Sequence, residues 1–391
     1  MNNALPDPLI CFNGSRVTSR TTWERRRRPE LLRLLEREMF GRTLLQRPRK
    51  LRFELREQKN DAREGRATRL RVGILFEGRT EDRQLELLVY LPNQNPKARV
   101  PLFLGLNFDG NYTTTTEPDL PLPTHYVMGL FQNRPPDHRA YESARGIHAA
   151  MFPYDKILEQ GYGVATACYG EVEPDYGGAW REGPRGLAKQ PGAEDWGAIG
   201  AWAWALSRCA DYLTTHPRID ANRLGLFGFS RLGKTAMWAA AQDTRFKLVV
   251  SQESGKGGIS LMRRRIGEPV VHLTGTALGH WFAPKFASYS DRELVLPLDG
   301  HLLGALIAPR PLLILSGTED SWSDPEGEFL GGQGADSVYR LLGTDGLKGA
   351  SWPKPQTLVG GTIGYYLRPG KHDVTSEDWE ATLRFAAQHW K

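Results

Sequence analysis

A serine, a histidine and two acids stand in this chain where acyl transfer would need them. Ser230 lies between an apolar, β-forming run at 224–229 and a helix-like run at 235–241, in Gly228-Phe229-Ser230-Arg231-Leu232-Gly233-Lys234. Small flanking residues let the backbone bend sharply and expose the hydroxyl at a helix N-terminus, where free N–H groups can hold an oxyanion. A serine hydroxyl is a poor nucleophile until a base takes its proton. His372 is the candidate base: it follows the last apolar run, in Arg368-Pro369-Gly370-Lys371-His372-Asp373, and only His389, inside the final helical run, lies beyond it. The acid that fixes the imidazole tautomer has two candidates. Glu253 ends the apolar run after the serine, in Ser251-Gln252-Glu253-Ser254-Gly255, and Asp320 ends the next, in Gly317-Thr318-Glu319-Asp320.

A serine on a tight strand-to-helix turn is the nucleophile elbow of α/β-hydrolases, whose chain order is Ser, acid, His. The acid of that fold follows the penultimate strand, which favours Asp320 over Glu253. The elbow pattern is Gly-x-Ser-x-Gly; here the second glycine comes one residue late, and a cation, Arg231, directly follows the serine.

These residues need a scaffold that gathers them. Runs at 67–76, 84–91, 100–106, 162–168, 224–227, 248–251, 311–316 and 357–368 read as strands. Helical patterns fall at 23–40, 196–212, 234–241, 336–342 and 379–390, and 252–286 reads as irregular. Short apolar strands alternating with helices predict a mostly parallel sheet covered on both faces, an αβα sandwich. No repeat or linker divides the chain, so one catalytic domain over residues 1–391 is expected, with an N-terminal arm and helix at about 1–45. The polar, proline-bearing stretch at 109–150 is long for a connection and reads as a cleft-side insert.

Composition sets outer bounds. The chain has 391 residues, 40% hydrophobic and 25% charged, an ordinary soluble enzyme's balance. The net charge is +6, a mild bias toward anions; much of it comes from Arg25-Arg26-Arg27-Arg28, read as a solvated helix face. No zinc spacing, aromatic RNA-binding motif or basic tail points to nucleic acid. Of the 11 tryptophans, about two-thirds are expected in the core, the rest available to a sugar cleft. The three cysteines allow at most one disulfide, no disulfide framework, and two of them lie in apolar context as expected buried thiols. No run is long enough to span a membrane. No charged-then-apolar leader opens the sequence, so the expectation is a secreted or periplasmic protein given without its leader, or a cytoplasmic one.

At these motifs the chain resembles carbohydrate esterase family 15, the glucuronoyl esterases, particularly bacterial members. Their serine motif, Gly-x-Ser-Arg-x-Gly-Lys, is matched at 228–234 and accounts for the displaced glycine. The resemblance extends to Leu5-Pro6-Asp7-Pro8-Leu9, Ala165-Thr166-Ala167-Cys168-Tyr169-Gly170, Ser251-Gln252-Glu253-Ser254-Gly255, Ala305-Leu306-Ile307-Ala308-Pro309-Arg310-Pro311, Thr318-Glu319-Asp320-Ser321-Trp322 and Arg368-Pro369-Gly370-Lys371-His372-Asp373. It implies cleavage of an ester between a glucuronoxylan uronate, usually 4-O-methylated, and a lignin alcohol. It implies that the catalytic acid sits at either Glu253 or Asp320, that Arg231 stabilises the oxyanion, and that Lys234, Glu268 and Trp322 hold the sugar.

The residues agree with this on their own terms. A fixed cation beside an oxyanion in a dry site is worth about 3 kcal/mol of barrier, which suits Arg231. Lys234 lies one helical turn after Ser230 and can face the same cleft. Trp322 can pack a sugar face or be a core indole. Glu268 is singled out by the resemblance alone, since exposed glutamates are common. The expected chemistry needs no metal and no organic cofactor, and the expected partner is a uronate ester met by a monomer. An acetyl xylan esterase or other α/β-hydrolase, and a non-catalytic sugar-binding relative, are the competing readings.

Overall fold

The computed structural model describes residues 5–78, 83–129, 137–188, 190–347 and 351–390. Its strands are β1 (Arg52–Ala62), β2 (Ala67–Leu75), β3 (Gln84–Pro92), β4 (Val100–Asn107), β5 (Gly163–Cys168), β6 (Ile219–Phe229), β7 (Leu248–Gln252), β8 (Leu312–Gly317), β9 (Leu358–Gly360) and β10 (Ile363–Arg368). They form one sheet in the order β1-β2-β3-β5-β4-β6-β7-β8-β10-β9. From β5 to β10 all neighbours are parallel, while β1, β2, β3 and β9 are antiparallel to their neighbours. β5, β7, β8 and β10 are buried at every residue, as parallel strands sandwiched between helices must be.

The alternation along β6 shows the layers. Gly225 and Phe227 face the final helix, Ser376–His389, and its end: a Cβ on Gly225 would meet Trp390 at 2.8 Å, and the Phe227 ring lies 4.7 Å from that of Trp379. Gly228 faces the opposite way, onto Leu232 and Ala236 of the helix Arg231–Gln242. That second layer also holds the helices Ala198–Leu213, Gly300–Ile307 and Pro325–Leu341. Register fixes the working edge: Phe229 pairs Gln252, Gln252 pairs Leu315, and Leu315 pairs Tyr366. The residues just past this line emerge together at the C-terminal ends of the parallel strands, where open α/β sheets bind ligands.

Several expectations need correction. β1 and the helix Gly300–Ile307 were not foreseen, and 357–368 is two strands, turned at Gly360 with φ +105°. The helix expected from residue 336 starts at Pro325, N-capped by Asp324. Its glycines serve close packing: a Cβ on Gly331 would fall 1.8 Å from the Ile259 carbonyl oxygen. Within the arginine run only Arg25 and Arg26 are exposed. Arg27 donates to the Pro8 carbonyl (3.0 Å) and Arg28 to that of Ala241 (2.7 Å), so half the run ties the N-terminal helix to the body. Eight of the 11 tryptophans and all three cysteines are buried.

The stretch at 109–150 packs rather than loops out: Thr113 and Thr114 are buried and Asp109 accepts the Gly129 N–H at 2.8 Å. Residues 130–136 within it lie outside the described residues. No helix among the described residues is long and apolar enough to cross a membrane.

Candidate active site

One residue separates β6 from the helix Arg231–Gln242, and it is Ser230, at φ 56° and ψ −127°. A non-glycine residue holds such a conformation only where its surroundings over-determine it. Here the Ser230 N–H donates to the Gln252 carbonyl (2.9 Å), and the Ser230 carbonyl accepts the N–H groups of Gly233 (2.9 Å) and Lys234 (3.2 Å). The turn leaves no room for a side chain at Gly228 and little at Gly233. A Cβ on Gly228 would lie 2.1 Å from the Leu232 carbonyl oxygen, and one on Gly233 3.0 Å from that of Gly228. The helix that follows presents its first, unpaired N–H groups beside the hydroxyl.

His372 reaches the same place from the loop after β10. Its ring lies 4.5 Å from the ring of Phe229, the residue before the serine. Gln252 links the two loops, accepting from Ser230 and donating through Nε2 to the Asp373 carbonyl (2.8 Å). His372 Nδ1 is 2.7 Å from Asp320 Oδ2 and 3.0 Å from Glu253 Oε2, which leaves Nε2 as the nitrogen for a hydroxyl proton. Glu253, at φ +46°, also accepts from Arg368 (2.9 Å) and from the Asp373 N–H (2.9 Å). Asp320 accepts the Ser323 N–H at 3.2 Å. These three side chains form a tight ligand-type cluster, yet all four carboxylate oxygens already hold hydrogen bonds within the protein.

Burial alone would lower the His372 pKa, but the hydrogen bonds and charges of Asp320 and Glu253 outweigh it and raise it to about 9. Glu253 goes the other way: burial raises it to about 7, helped by the Asp320 charge and opposed by His372 and Arg368. Asp320 also resists burial; its bonds and charge contact with His372 hold it below the usual carboxylate range. Near neutral pH Asp320 carries full charge while Glu253 is partly protonated, and the cluster titrates as a unit.

On the other side of Ser230 stand the cations. The largely buried Arg231 donates through Nη1 to Asp175, and its guanidinium carbon sits 4.6 Å over the Trp281 ring. Asp175 is a hub: it also bonds His280 (2.8 Å), Trp281 Nε1 (2.6 Å) and the Tyr169 hydroxyl (2.9 Å). Burial pushes its carboxyl up, but the His280 bond and the Arg231 charge hold it well below the usual range. Arg231 Nε is buried without a hydrogen-bond partner among the described residues. Lys234 and Glu268 are buried and paired at 3.3 Å, with the Lys234 ammonium 5.8 Å from the same Trp281 ring. Glu268 is therefore not an exposed glutamate. Its N–H donates to the Trp322 carbonyl (2.8 Å), and the Trp322 indole, 48% exposed and edge-on to His272, is no core residue.

All eight candidates thus fall in one connected region supplied by a single chain. Asp175, Trp281 and Arg368 hold it together and were missed by sequence reasoning. Arg368 stands in the motif that ends at His372, which was the available signal; Asp175 and Trp281 lie in irregular segments with no pattern to mark them.

A family model described as glucuronyl esterase, fungi, matches residues 191–343. A carbohydrate esterase of an unknown prokaryotic organism is 43% identical over 394 residues, 98% of this chain and 89% of that one. A 4-O-methyl-glucuronoyl methylesterase of Schizophyllum commune is 25% identical over 408 residues, 100% of this chain and 88% of that one. A solved glucuronoyl esterase from Solibacter usitatus superimposes with a TM-score of 0.93 at 40% identity, covering 99% of this chain and 98% of that one. A promiscuous esterase of carbohydrate esterase family 15 from a marine bacterial metagenome gives 0.91 at 43% identity, covering 100% and 98%. With such relatives matched along nearly its whole length, and with a serine elbow, a doubly acid-backed histidine and a following arginine at its sheet edge, this chain belongs to carbohydrate esterase family 15, the glucuronoyl esterases.

Proposed function

We propose that the protein is a serine esterase that hydrolyses 4-O-methyl-glucuronoyl esters, releasing the uronate of glucuronoxylan from a lignin alcohol. The observation that carries this reading is the strained Ser230 elbow beside His372, with Arg231 fixed on one side and a buried Lys234–Glu268 pair beyond it. As Ser230 Oγ attacks the ester carbonyl, its proton passes to His372 Nε2, and the Nδ1 carboxylates stabilise the imidazolium. The tetrahedral oxyanion is held by the N–H groups at the helix start and by Arg231. His372 returns the proton to the alkoxy oxygen as the carbon–oxygen bond breaks. Water then attacks the acyl-enzyme by the same route, leaving the free uronate and the restored hydroxyl. Lys234 and Glu268 offer a donor and an acceptor to sugar hydroxyls, and exposed Trp322 offers an apolar plate. The relatives' names support the uronate, and a polymeric wall substrate favours a site of action outside the cytoplasm.

The test is turnover of benzyl glucuronate beside an acetyl ester. Wild type is expected to prefer the uronate ester, and Ser230→Ala to lose roughly 10³-fold or more in kcat. Undiminished turnover by Ser230→Ala, or exclusive use of the acetyl ester, would overturn the assignment.

A further inference from the structure

Glu253 reaches His372 from a backbone conformation that L-residues rarely adopt, φ +46°, followed by Ser254 and then Gly255 at φ +56°. Such a turn keeps its shape only if something holds it. Two contacts come from the sheet side: the Glu253 N–H donates to the Leu315 carbonyl (2.8 Å) and the Ser323 hydroxyl to the Glu253 carbonyl (3.2 Å). The third support comes from the helix Pro325–Leu341. Glu328, in its first turn, has no exposed surface, and its carboxyl is enclosed by the turn. Oε1 accepts the Gly255 N–H (2.9 Å) and the Ser254 hydroxyl (3.3 Å), while Oε2 accepts the Ser316 hydroxyl (2.6 Å). Ser316 lies on β8, the strand that leads to Asp320. One carboxyl group therefore joins the loop bearing the first acid to the strand bearing the second.

We propose that Glu328 is a positioning residue that sets Glu253 against His372 Nδ1 beside Asp320, and that it acts on catalysis only through Glu253. The inference rests on the site reading given above. Glu328 makes no hydrogen bond to His372 or Ser230 among the described residues, and two of its three bonds hold the Glu253 turn, which makes that turn its route to the site. Burial raises its carboxyl to about 8, against the bonds from Ser316 and Gly255 and with the charges of Asp320 and Glu253 pushing the same way as burial. At neutral pH this favours the protonated acid, whose Oε2–H then donates to a turned Ser316 hydroxyl. That suits its place: a third charge beneath two catalytic carboxylates would repel both. A glutamine amide has the same shape, with an oxygen for the Gly255 N–H and an NH₂ for a turned Ser316 hydroxyl.

The test is a double-mutant cycle read as kcat on benzyl glucuronate at pH 7. Glu328→Ala is expected to lower kcat about ten- to a hundredfold, the scale of a small misplacement in an active site, with KM within about twofold. Glu328→Gln is expected to restore it. In a Glu253→Ala background Glu328→Ala is expected to cost nothing more, because its route is already cut. Multiplying losses, or Glu328→Ala at wild-type kcat, overturns the proposal. A second readout needs no substrate, so it stands even if the ester assignment fails. By NMR titration, Glu328→Ala should move His372 to lower pKa, in the direction of Glu253→Gln, while Glu328→Gln leaves it in place; an unmoved His372 in Glu328→Ala overturns the proposal. If Glu328→Ala does not fold, the paired variant Ser254→Ala with Ser316→Ala removes two of the three bonds and is read in the same way.

Discussion

Asp320 and Glu253 meet the same imidazole nitrogen from different environments, and the difference decides what each contributes. Asp320 is nearer, at 2.7 Å, and its carboxyl is held low by His372. Glu253 is at 3.0 Å, raised to about 7 by burial, and shares its oxygens with Arg368 and the Asp373 N–H. The fully ionised partner stabilises the imidazolium more, so Asp320→Asn is expected to reduce kcat about tenfold further than Glu253→Gln. The pH dependence has a definite sign. In the proposed mechanism His372 must be neutral to accept the serine proton, and the two acids hold its pKa at about 9. The kcat/KM of wild type should therefore climb with pH up to that region. Removing either acid lowers the pKa and should shift the climb to lower pH. A profile unmoved by both substitutions would mean that the rise belongs to another group. At this scale the sequence named the serine, the histidine and both acids. It was silent on how they share one nitrogen, because that sharing depends on an 0.3 Å difference between contacts made by loops far apart in the chain.

The element that does most for the site is the join between β6 and the helix Arg231–Gln242. Its bend relies on missing side chains. A methyl group on Gly228 would sit 2.1 Å from a backbone oxygen and 2.9 Å from Ala236 Cβ, and neither can swing aside as a side-chain tip would. Gly228→Ala is expected to destabilise the fold by about 3 kcal/mol or more, read as a fall in the urea midpoint. Gly177→Ala, at an exposed glycine with nothing within 4 Å and no positive φ, should stay within about 0.5 kcal/mol of wild type. Equal midpoints for the two variants would count against the tight-turn account. Elements were legible where burial imposes a simple pattern. β5, β7, β8 and β10 are covered on both faces, so their apolar runs stand out. The helix Pro325–Leu341 was half hidden because its closely packed glycines, Gly331 against the Ile259 carbonyl among them, have poor helix propensity on their own.

For the molecule as a whole, the site burdens stability in a pH-dependent way. His372 rises from 6.5 in the unfolded chain to about 9, so its contribution is complete below pH 6.5 and is lost as the pH climbs through about 9. Glu253 and Glu328 rise from 4.5 to about 7 and about 8. The folded state holds protons that the unfolded chain has released, so stability falls across that range too. The three effects share a sign, and Tm should decline from about pH 6 to pH 9, less steeply in Glu328→Gln than in wild type. Calorimetry across that range checks both statements; a Tm that rises would contradict them. What the sequence determined by itself was the alternation of apolar strands and helices, and with it the parallel sheet. It also determined the serine elbow with its late glycine, and the order of serine, acids and histidine along the chain. These are local patterns, dictated by periodicity and by which residues a turn can hold. The tertiary structure alone decided that Asp175 anchors Arg231, that Trp281 lies under both cations, that Glu268 is buried against Lys234, and that Glu328 braces the Glu253 turn. Each of those contacts joins segments distant in sequence, and strand register together with packing between layers, not any local rule, brings them within reach.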